Sequence, residues 1–136
     1  MIEVKDATKQ DLDAIMELFS KGVLEGNIVD RPKSEIAKLI KEKKVIFASD
    51  GQNVAGMVIL DFYSKRFSEL RSIYVEKDYR SKSVGKMLVE AVFSKAKKLG
   101  VKELMIVTVK EKEGWFRKFG FNEEVHGFKV ALFKQL

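Results

Sequence analysis

The residues whose types and spacing could do chemistry are concentrated at positions 74–86, between a predicted strand and the strongest predicted helix. This stretch combines basic, small hydroxyl and glycine residues: Arg80, Ser81, Lys82, Ser83, Gly85 and Lys86. The start of a helix has unpaired backbone N–H groups and the positive end of the helix dipole, so it can hold an anion such as a phosphate. Basic residues at that place oppose the dipole unless an anion is present. The pattern therefore favours an anion site, and an ordinary serine-capped helix is the alternative.

The residue types that the chain lacks exclude several other chemistries. The 136 residues include no cysteine, and His126 is the one histidine. Disulfides, thiolate nucleophiles and metal sites built from cysteine or several histidines are therefore excluded, and no metal is expected. His126 is interpreted as an ordinary loop residue, and a substrate contact is the alternative.

The charge and hydropathy patterns limit the partners. The net charge is +6, but basic and acidic residues alternate along the chain, so we expect no nucleic-acid partner. No apolar run approaches the roughly 18 residues of a membrane span, and the first residues do not resemble a signal peptide. These features predict a cytoplasmic protein, with residues 1–136 forming a single domain and no membrane partner. Abundant Lys and Glu also suggest a thermophilic host.

Hydrophobic periodicity and turn residues predict the elements that must position the anion site. Strands are predicted at residues 2–5, 45–49, 53–63, 69–75, 104–109 and 128–133. Helices are predicted from Leu12 onward and at residues 34–44, 84–99 and 113–119. The run at 104–109 is continuously apolar, which is typical of a strand buried on both faces. Hairpin strands followed by a β–α–β unit predict a mixed α/β sheet.

Two motifs in this framework resemble those of the GNAT superfamily of N-acetyltransferases. Residues 80–85, Arg-Ser-Lys-Ser-Val-Gly, resemble the family's motif A, Arg/Gln-x-x-Gly-x-Gly/Ala. Residues 115–121, Trp-Phe-Arg-Lys-Phe-Gly-Phe, resemble its Tyr-x-x-x-Gly-Phe signature. With residues 69–83, they are most similar to the acetyltransferase domain of N-acetylglutamate synthases. The resemblance implies the GNAT acyl-CoA N-acyltransferase fold, a mixed and mostly antiparallel sheet with a central β–α–β CoA-binding unit.

The resemblance also implies an activity. The co-substrate would be acetyl-CoA, and the acetyl group would pass to the primary amine of a small molecule, of which an amino acid such as glutamate is one candidate. A protein N-terminal or lysine acetyltransferase and a non-catalytic acyl-CoA-binding module are the alternatives. Because relatives commonly dimerise, a homodimer is left open.

Two positions depart from the family pattern. Ser83 stands where motif A has its first glycine, and serine is small enough for the phosphate site to survive. Phe116 stands where many members have a tyrosine that protonates the departing thiolate, and a phenyl ring cannot donate a proton. N-acetylglutamate synthases often have phenylalanine there as well, so this departure does not argue against activity.

The family's site residues are carried over by motif position. The backbone of Ile73, Tyr74 and Val75 would bind the pantetheine, with the Ile73 and Val75 amides polarising the thioester carbonyl. The phosphates would lie on the amides of Ser81, Lys82, Ser83, Val84, Gly85 and Lys86, and Phe116 would also border the cofactor. The Arg80 and Lys82 side chains would assist.

Acceptor-side roles are hypotheses of the same kind. Glu69 is the candidate base, acting directly or through water, and its alternative is a solvated carboxylate at a strand end. Arg31 and Arg71 are candidate partners of a substrate carboxylate, and plain surface arginines are the alternative. Thr108 is a candidate minor contact beside the thioester.

Overall fold

Five strands and four helices form the part of the chain that the computed structural model describes, residues 1–64, 67–108 and 110–122. The strands are β1 (Glu3–Asp6), β2 (Val45–Ser49), β3 (Val54–Phe62), β4 (Phe67–Val75) and β5 (Glu103–Met105). The helices are α1 (Leu12–Leu24), α2 (Lys33–Lys41), α3 (Val84–Lys98) and α4 (Glu113–Arg117). Single turns of 3₁₀ helix occupy Lys9–Asp11, Lys77–Tyr79 and Lys110–Lys112.

The strands form one sheet in the order β1-β2-β3-β4-β5. Neighbours are antiparallel from β1 to β4, whereas β4 and β5 pair in parallel. Helix α3 connects the two parallel strands, as a crossover connection requires. The predicted mixed and mostly antiparallel α/β sheet is therefore confirmed for the described residues.

Helices cover both faces of the sheet because its central strand is apolar on both faces. Successive side chains of a strand point to opposite faces. Met57 of β3 lies in a buried apolar cluster with Phe19 of α1, and the next residue, Val58, lies in a second cluster with Leu88 of α3. The two clusters form the core, and they hold β4 between α1 and α3.

Local signals mark the ends of the two longest helices. Asp11 accepts hydrogen bonds from the backbone N–H and the hydroxyl of Thr8, at 2.8 and 2.9 Å, which completes the predicted capping box ahead of α1. Gly100 follows α3 with φ +77°, a conformation that glycine adopts without steric cost. Apart from the strands predicted at 104–109 and 128–133, predicted and observed element boundaries elsewhere differ by up to three residues.

Strand β4 contains a bulge. Met57 of β3 pairs with Tyr74, but Ile59 pairs with Arg71, so two steps along β3 face three steps along β4. Ser72 takes up the extra residue with φ +55°, in the left-handed region. A bulge bends its strand and increases the local twist. The half of β4 beyond Ser72 is thereby redirected relative to the first half.

The prediction of a strand buried on both faces at residues 104–109 is wrong. Strand β5 ends at Met105, and Val107 is 77% exposed. The reason is the short pairing of β5, which meets only Phe67–Glu69 of β4, so that the apolar residues after Met105 leave the sheet. Val109, His126 and the predicted strand at 128–133 lie outside the described residues.

Two broad properties of the described ranges bear on function. None of their helices is long and apolar enough to cross a membrane. Within the same ranges, no group of three or more histidine or carboxylate side chains is arranged to hold a metal ion.

Candidate active site

The site begins where β4 and β5 separate. Their parallel pairing stops at Glu69 and Met105, while β4 continues to Val75. The redirected half of β4 therefore has a backbone edge that no described strand covers. Such an edge can donate and accept hydrogen bonds with an extended ligand.

A cleft of about 770 Å³ opens beside this edge, and we call it the main cleft. It lies between the second half of β4, the start of α3 and helix α4. Its lining residues are Asn27, Ile73, Tyr74, Val75, Arg80, Ser81, Ser83, Gly85, Lys86, Lys112, Trp115, Phe116, Lys118 and Phe119. The walls are apolar towards the interior and carry four basic side chains, so the cleft suits a ligand with an apolar arm and an anionic end.

The start of α3 supplies backbone donors to the main cleft. The N–H groups of Ser81, Ser83, Val84, Gly85 and Lys86 have no hydrogen-bond acceptor among the described residues. Ser83 has φ +62° and its hydroxyl does not cap the helix, so nothing competes with a ligand for these amides. Unpaired amides at a helix start are the feature that binds phosphate groups.

The side chain of Arg80 braces the loop instead of extending freely into the cleft. Its Nε donates to the carbonyl oxygen of Val75 at 2.9 Å, and its Nη2 donates to Glu25 at the end of α1, also at 2.9 Å. Tyr74 donates its hydroxyl proton to the same carboxylate. The hydrogen bonds from Tyr74 and Arg80 lower the pKa of Glu25. Burial, together with the hydrogen bond to Glu25, raises the pKa of Tyr74 to about 12. Arg80 therefore links α1 and β4 to residues 80–86, which we call the phosphate loop.

The other two basic residues predicted to lie near the phosphates, Lys82 and Lys86, differ in their position relative to the main cleft. Lys86 lines the main cleft, and its amino group lies 4.0 Å from Glu90 one turn along α3. Lys82 does not line the cleft, and its ammonium lies 5.3 Å from the ring centre of Tyr79. Lys112 and Lys118, which sequence reasoning missed, supply further positive charge.

Helix α4 is fitted to the first turn of α3 by an aromatic contact. A Cβ atom added to Gly85 would lie 3.0 Å from Cζ2 of Trp115, closer than ordinary van der Waals contact. The Trp115 ring packs edge-on against Phe116 and Phe119, with ring centres 4.9 and 4.7 Å apart. The glycine of the motif therefore makes room for the indole as well as facing the cleft.

A second, smaller cleft of about 310 Å³ continues past the bulge, and we call it the side cleft. Asn27, Ile73, Lys112 and Phe116 line both clefts, so the two spaces meet at these residues. The side cleft is closed further by the α1–α2 connection, by Leu70 and Ser72 of β4, and by residues 106–108. A small molecule there would lie beside the uncovered backbone edge of β4.

The predicted acceptor residues form a polar cluster on the sheet face below α1 and α2. Asp61 accepts from Arg31 at 2.9 Å and from Arg71 at 3.1 Å through the same oxygen, Oδ2. Glu69 accepts from the Tyr63 hydroxyl at 2.6 Å, and its other oxygen lies 3.8 Å from Nε of Arg71. Arg31 and Glu69 are each only 7% exposed, so neither is a plain surface residue.

The structure thus places the predicted residues in two groups. The predicted cofactor residues line the main cleft except Lys82 and Val84, and the Val84 side chain is fully buried in the core. Thr108 lines the side cleft. Neither cleft is lined by Glu69, Arg31 or Arg71. Both arginines contact Asp61, and Arg71 also pairs with Glu69.

Sequence reasoning missed Asp61, Asn27, Lys112 and Lys118. Asp61 follows the apolar core of β3, and an acid next to a buried run could have indicated a buried ion pair. Asn27 and Lys112 carry no local signal, because only the tertiary fold brings their segments to the cleft.

A family model and several known proteins match this chain. Residues 12–121 match the model of the acetyltransferase (GNAT) family. An amino-acid acetyltransferase of Serratia proteamaculans is 30% identical over 119 residues, which cover 88% of this chain and 26% of that protein. The chain therefore spans about a quarter of the length of this curated relative.

Solved structures share the fold. N-acetylglutamate synthase from Neisseria gonorrhoeae, in complex with coenzyme A and N-acetyl-glutamate, has a TM-score of 0.79 at 18% identity, over 88% of this chain and 28% of that one. A Mycobacterium tuberculosis protein in complex with CoA has a TM-score of 0.80 at 18% identity, over 95% of this chain and 76% of that one. At these identities the likeness concerns the fold.

Proposed function

Because the chain belongs to the acetyltransferase (GNAT) family, we propose that it transfers the acetyl group of acetyl-CoA to the primary amine of a small molecule of the amino-acid class. The observation that carries the proposal is the junction of the two clefts at Ile73 and Phe116, beside the uncovered edge of β4. One cleft suits a long anionic ligand and the other a small one. The named activity of the curated relatives supports the acceptor class.

The main cleft residues fit CoA. The unpaired amides of Ser81, Ser83, Val84, Gly85 and Lys86 would hold the diphosphate, with the ammonium groups of Lys86 and Lys118 adding charge. The edge of β4 would pair with the pantetheine arm. We assign Arg80 to bracing this loop, since its donors already bind Val75 and Glu25.

The reaction needs an activated carbonyl and a deprotonated amine. The C–N bond forms at the acyl carbon as the C–S bond breaks; the amine proton passes to a base, and the thiolate takes a proton from water. Backbone amides of Ile73 and Val75 would stabilise the negative charge that develops on the carbonyl oxygen. Phe116 contributes no proton and instead keeps the junction apolar, because it is 4% exposed.

We propose Glu69 as the final proton acceptor, reached through water because its side chain does not line either cleft. The Tyr63 hydrogen bond holds it in place. Glu69→Gln should lower kcat about 100-fold in initial-rate measurements at saturating acetyl-CoA. Tyr63→Phe, which leaves the carboxylate intact, should lower kcat much less. A kcat of Glu69→Gln equal to that of the parent would remove Glu69 from the mechanism.

The phosphate assignment has a charge-reversal test. Lys86→Glu places a carboxylate at the start of α3 beside the unpaired amides, and Kd for CoA should rise about 10-fold in calorimetric titration. Lys97→Glu, the same change in the last turn of α3, is the matched control and should leave Kd unchanged. Equal effects of the two variants would contradict a phosphate site at this helix start.

The proposal concerns the acetyltransferase unit that the chain shares with its longer relatives. A single domain, a cytoplasmic location and a thermophilic host stay predictions, as does a homodimer. A screen of acetyl-CoA thiol release with amino acids, polyamines and peptides separates the alternatives. Release with peptides alone would favour a protein acetyltransferase, and tight CoA binding without release in any reaction would favour a binding module.

A further inference from the structure

The composition of the side cleft lining restricts its occupant. Aliphatic side chains line it from three parts of the chain: Ile28 and Val29 between α1 and α2, Leu70 and Ile73 of β4, and Ile106 and Val107 after β5. Its neutral polar side chains are those of Asn27, Ser72 and Thr108. Lys112 is the one charged side chain among the described lining residues, and no carboxylate is among them. A ligand there meets aliphatic surface, a few neutral polar groups and a single positive charge from the described residues.

The arginines that could neutralise a second carboxylate are occupied elsewhere. Asp61 accepts from both Arg31 and Arg71, and Glu35 lies 3.4 Å from Arg31 while Glu69 lies 3.8 Å from Arg71. Neither guanidinium lines the side cleft. Withdrawing either arginine towards a ligand would leave Asp61, which is only partly exposed, with a weakened ion pair.

We propose that the acceptor is an α-amino acid with an aliphatic side chain, such as leucine or methionine, and that glutamate is a poor acceptor. This inference rests on the proposed acetyltransferase function and narrows it. The aliphatic side chain packs against Val29 and Val107, and the α-carboxylate pairs with Lys112. A glutamate side chain would bring a second negative charge to a cleft whose described lining offers no second cation to pair with it.

The first test compares acceptors directly. We expect kcat/KM for leucine and methionine to exceed that for glutamate by about 10-fold or more. Glutamate equal to or better than leucine would overturn the inference and leave the acetyltransferase proposal standing. An N-terminal leucine peptide acetylated better than free leucine would also overturn it.

Binding gives an answer that does not depend on turnover. Leucine and glutamate are titrated calorimetrically into the protein saturated with CoA, and leucine should bind at least about 10-fold more tightly. If no amine is acetylated, the acetyltransferase proposal fails, but this comparison still tests the cleft. Absence of leucine binding, or preference for glutamate, overturns the inference.

A charge added to the cleft should change the preference. Val29 is 72% exposed at the rim, so Val29→Arg can be accommodated, and it should shift the glutamate-to-leucine ratio of kcat/KM towards glutamate about 10-fold. Leu24→Arg is the matched control, because Leu24 is exposed and lines neither cleft. Since the readout is a ratio, a general loss of folded protein does not affect it. The same ratio in both variants would contradict the cleft assignment.

The carboxylate contact has its own test. Lys112→Gln should raise KM for leucine about 10-fold while leaving KM for leucinamide, which has no carboxylate, nearly unchanged. Lys110→Gln, in the same 3₁₀ turn but outside both clefts, should change neither value. An equal rise for leucine and leucinamide would show that Lys112 does not bind the carboxylate.

Discussion

At the scale of single residues, Ser83 shows how the phosphate loop departs from its family motif. Its φ of +62° lies in the left-handed region that glycine adopts freely and serine adopts at a cost. The chain therefore keeps the loop conformation with a residue that strains it. The backbone amides beside Ser83 remain exposed, and for this reason the loop tolerates a serine at this position.

Replacing this residue should relieve the strain. Ser83→Gly should raise the free energy of unfolding by about 0.5 kcal/mol, because the steric relief slightly exceeds the added chain entropy of the unfolded state. Ser81→Gly is the control: Ser81 has no positive φ, so the same change should lower the free energy of unfolding. Urea denaturation measures both. A loss in Ser83→Gly as large as in Ser81→Gly would contradict the strain.

Asp50, in the β2–β3 turn, predicts a pH effect. A hydrogen bond from Tyr79 at 2.5 Å and backbone donors at Asn53 and Gln52 lower its pKa from 3.8 to about 2. A carboxyl with a depressed pKa in the folded state stabilises the protein above its unfolded pKa, and this stabilisation is lost as the pH falls from about 4 to 2.

The thermal midpoint Tm should therefore fall less steeply between pH 4 and pH 2 in Asp50→Asn than in the parent. Tyr79→Phe removes only the largest contribution and should give an intermediate slope. Identical slopes in all three proteins would show that Asp50 does not titrate as described.

At the scale of elements, the contact between β3 and β4 depends on Gly56. A Cβ atom there would lie 2.9 Å from the backbone carbonyl oxygen of Tyr74, which cannot move without shifting β4. Gly56→Ala should lower the free energy of unfolding by about 1–3 kcal/mol, as overpacking does. Gly114→Ala in α4 has open space around it and should be neutral or slightly stabilising. Urea denaturation of the two variants decides, and equal effects would refute the close contact.

The packing of α4 on α3 makes Trp115 a reporter. It is the one tryptophan in the chain, it lines the main cleft, and it contacts Gly85. Adding CoA should shift or quench its emission in proportion to the saturation of the site. Calorimetric binding of CoA without any change in emission would show that the ligand lies elsewhere.

The extent to which elements could be predicted from the sequence depends on how local their causes are. The apolar run at 45–49 and the turn residues Asp50-Gly51 predicted the β2–β3 hairpin well, because both signals act within a few residues. The bulge at Ser72 was not predictable, since it arises from the register between two strands and no glycine marks it. The apolar run after Leu104 was misjudged because a strand and a cleft wall have the same composition.

At the scale of the whole molecule, the same distinction holds for the site. The loop at residues 80–86 was predicted because its residues are adjacent in the chain. The pairing of Arg80 with Glu25, and of Arg31 with Asp61, joins residues far apart in sequence. Those contacts decide which cations remain available to ligands. The sequence therefore predicted the position of the cleft better than it predicted which basic side chains can bind a ligand there.

The fold places two clefts along the uncovered edge of β4. The start of α3 presents backbone amides and Lys86 to the main cleft, while the α1–α2 connection closes a small space with a largely aliphatic lining around the bulge. The net charge of +6 is thus partly concentrated where an anionic co-substrate would bind. This asymmetry is the basis for assigning one cleft to acetyl-CoA and the other to the acceptor.

The most direct test of the central claim is a mass-spectrometric assay of the purified protein with acetyl-CoA and an equimolar mixture of amino acids. The account predicts an N-acetylated amino acid, with leucine and methionine products ahead of N-acetylglutamate, formed in an amount equal to the free CoA released. Acetyl-CoA that binds in the main cleft yet yields no acetylated amine and no free CoA would contradict it.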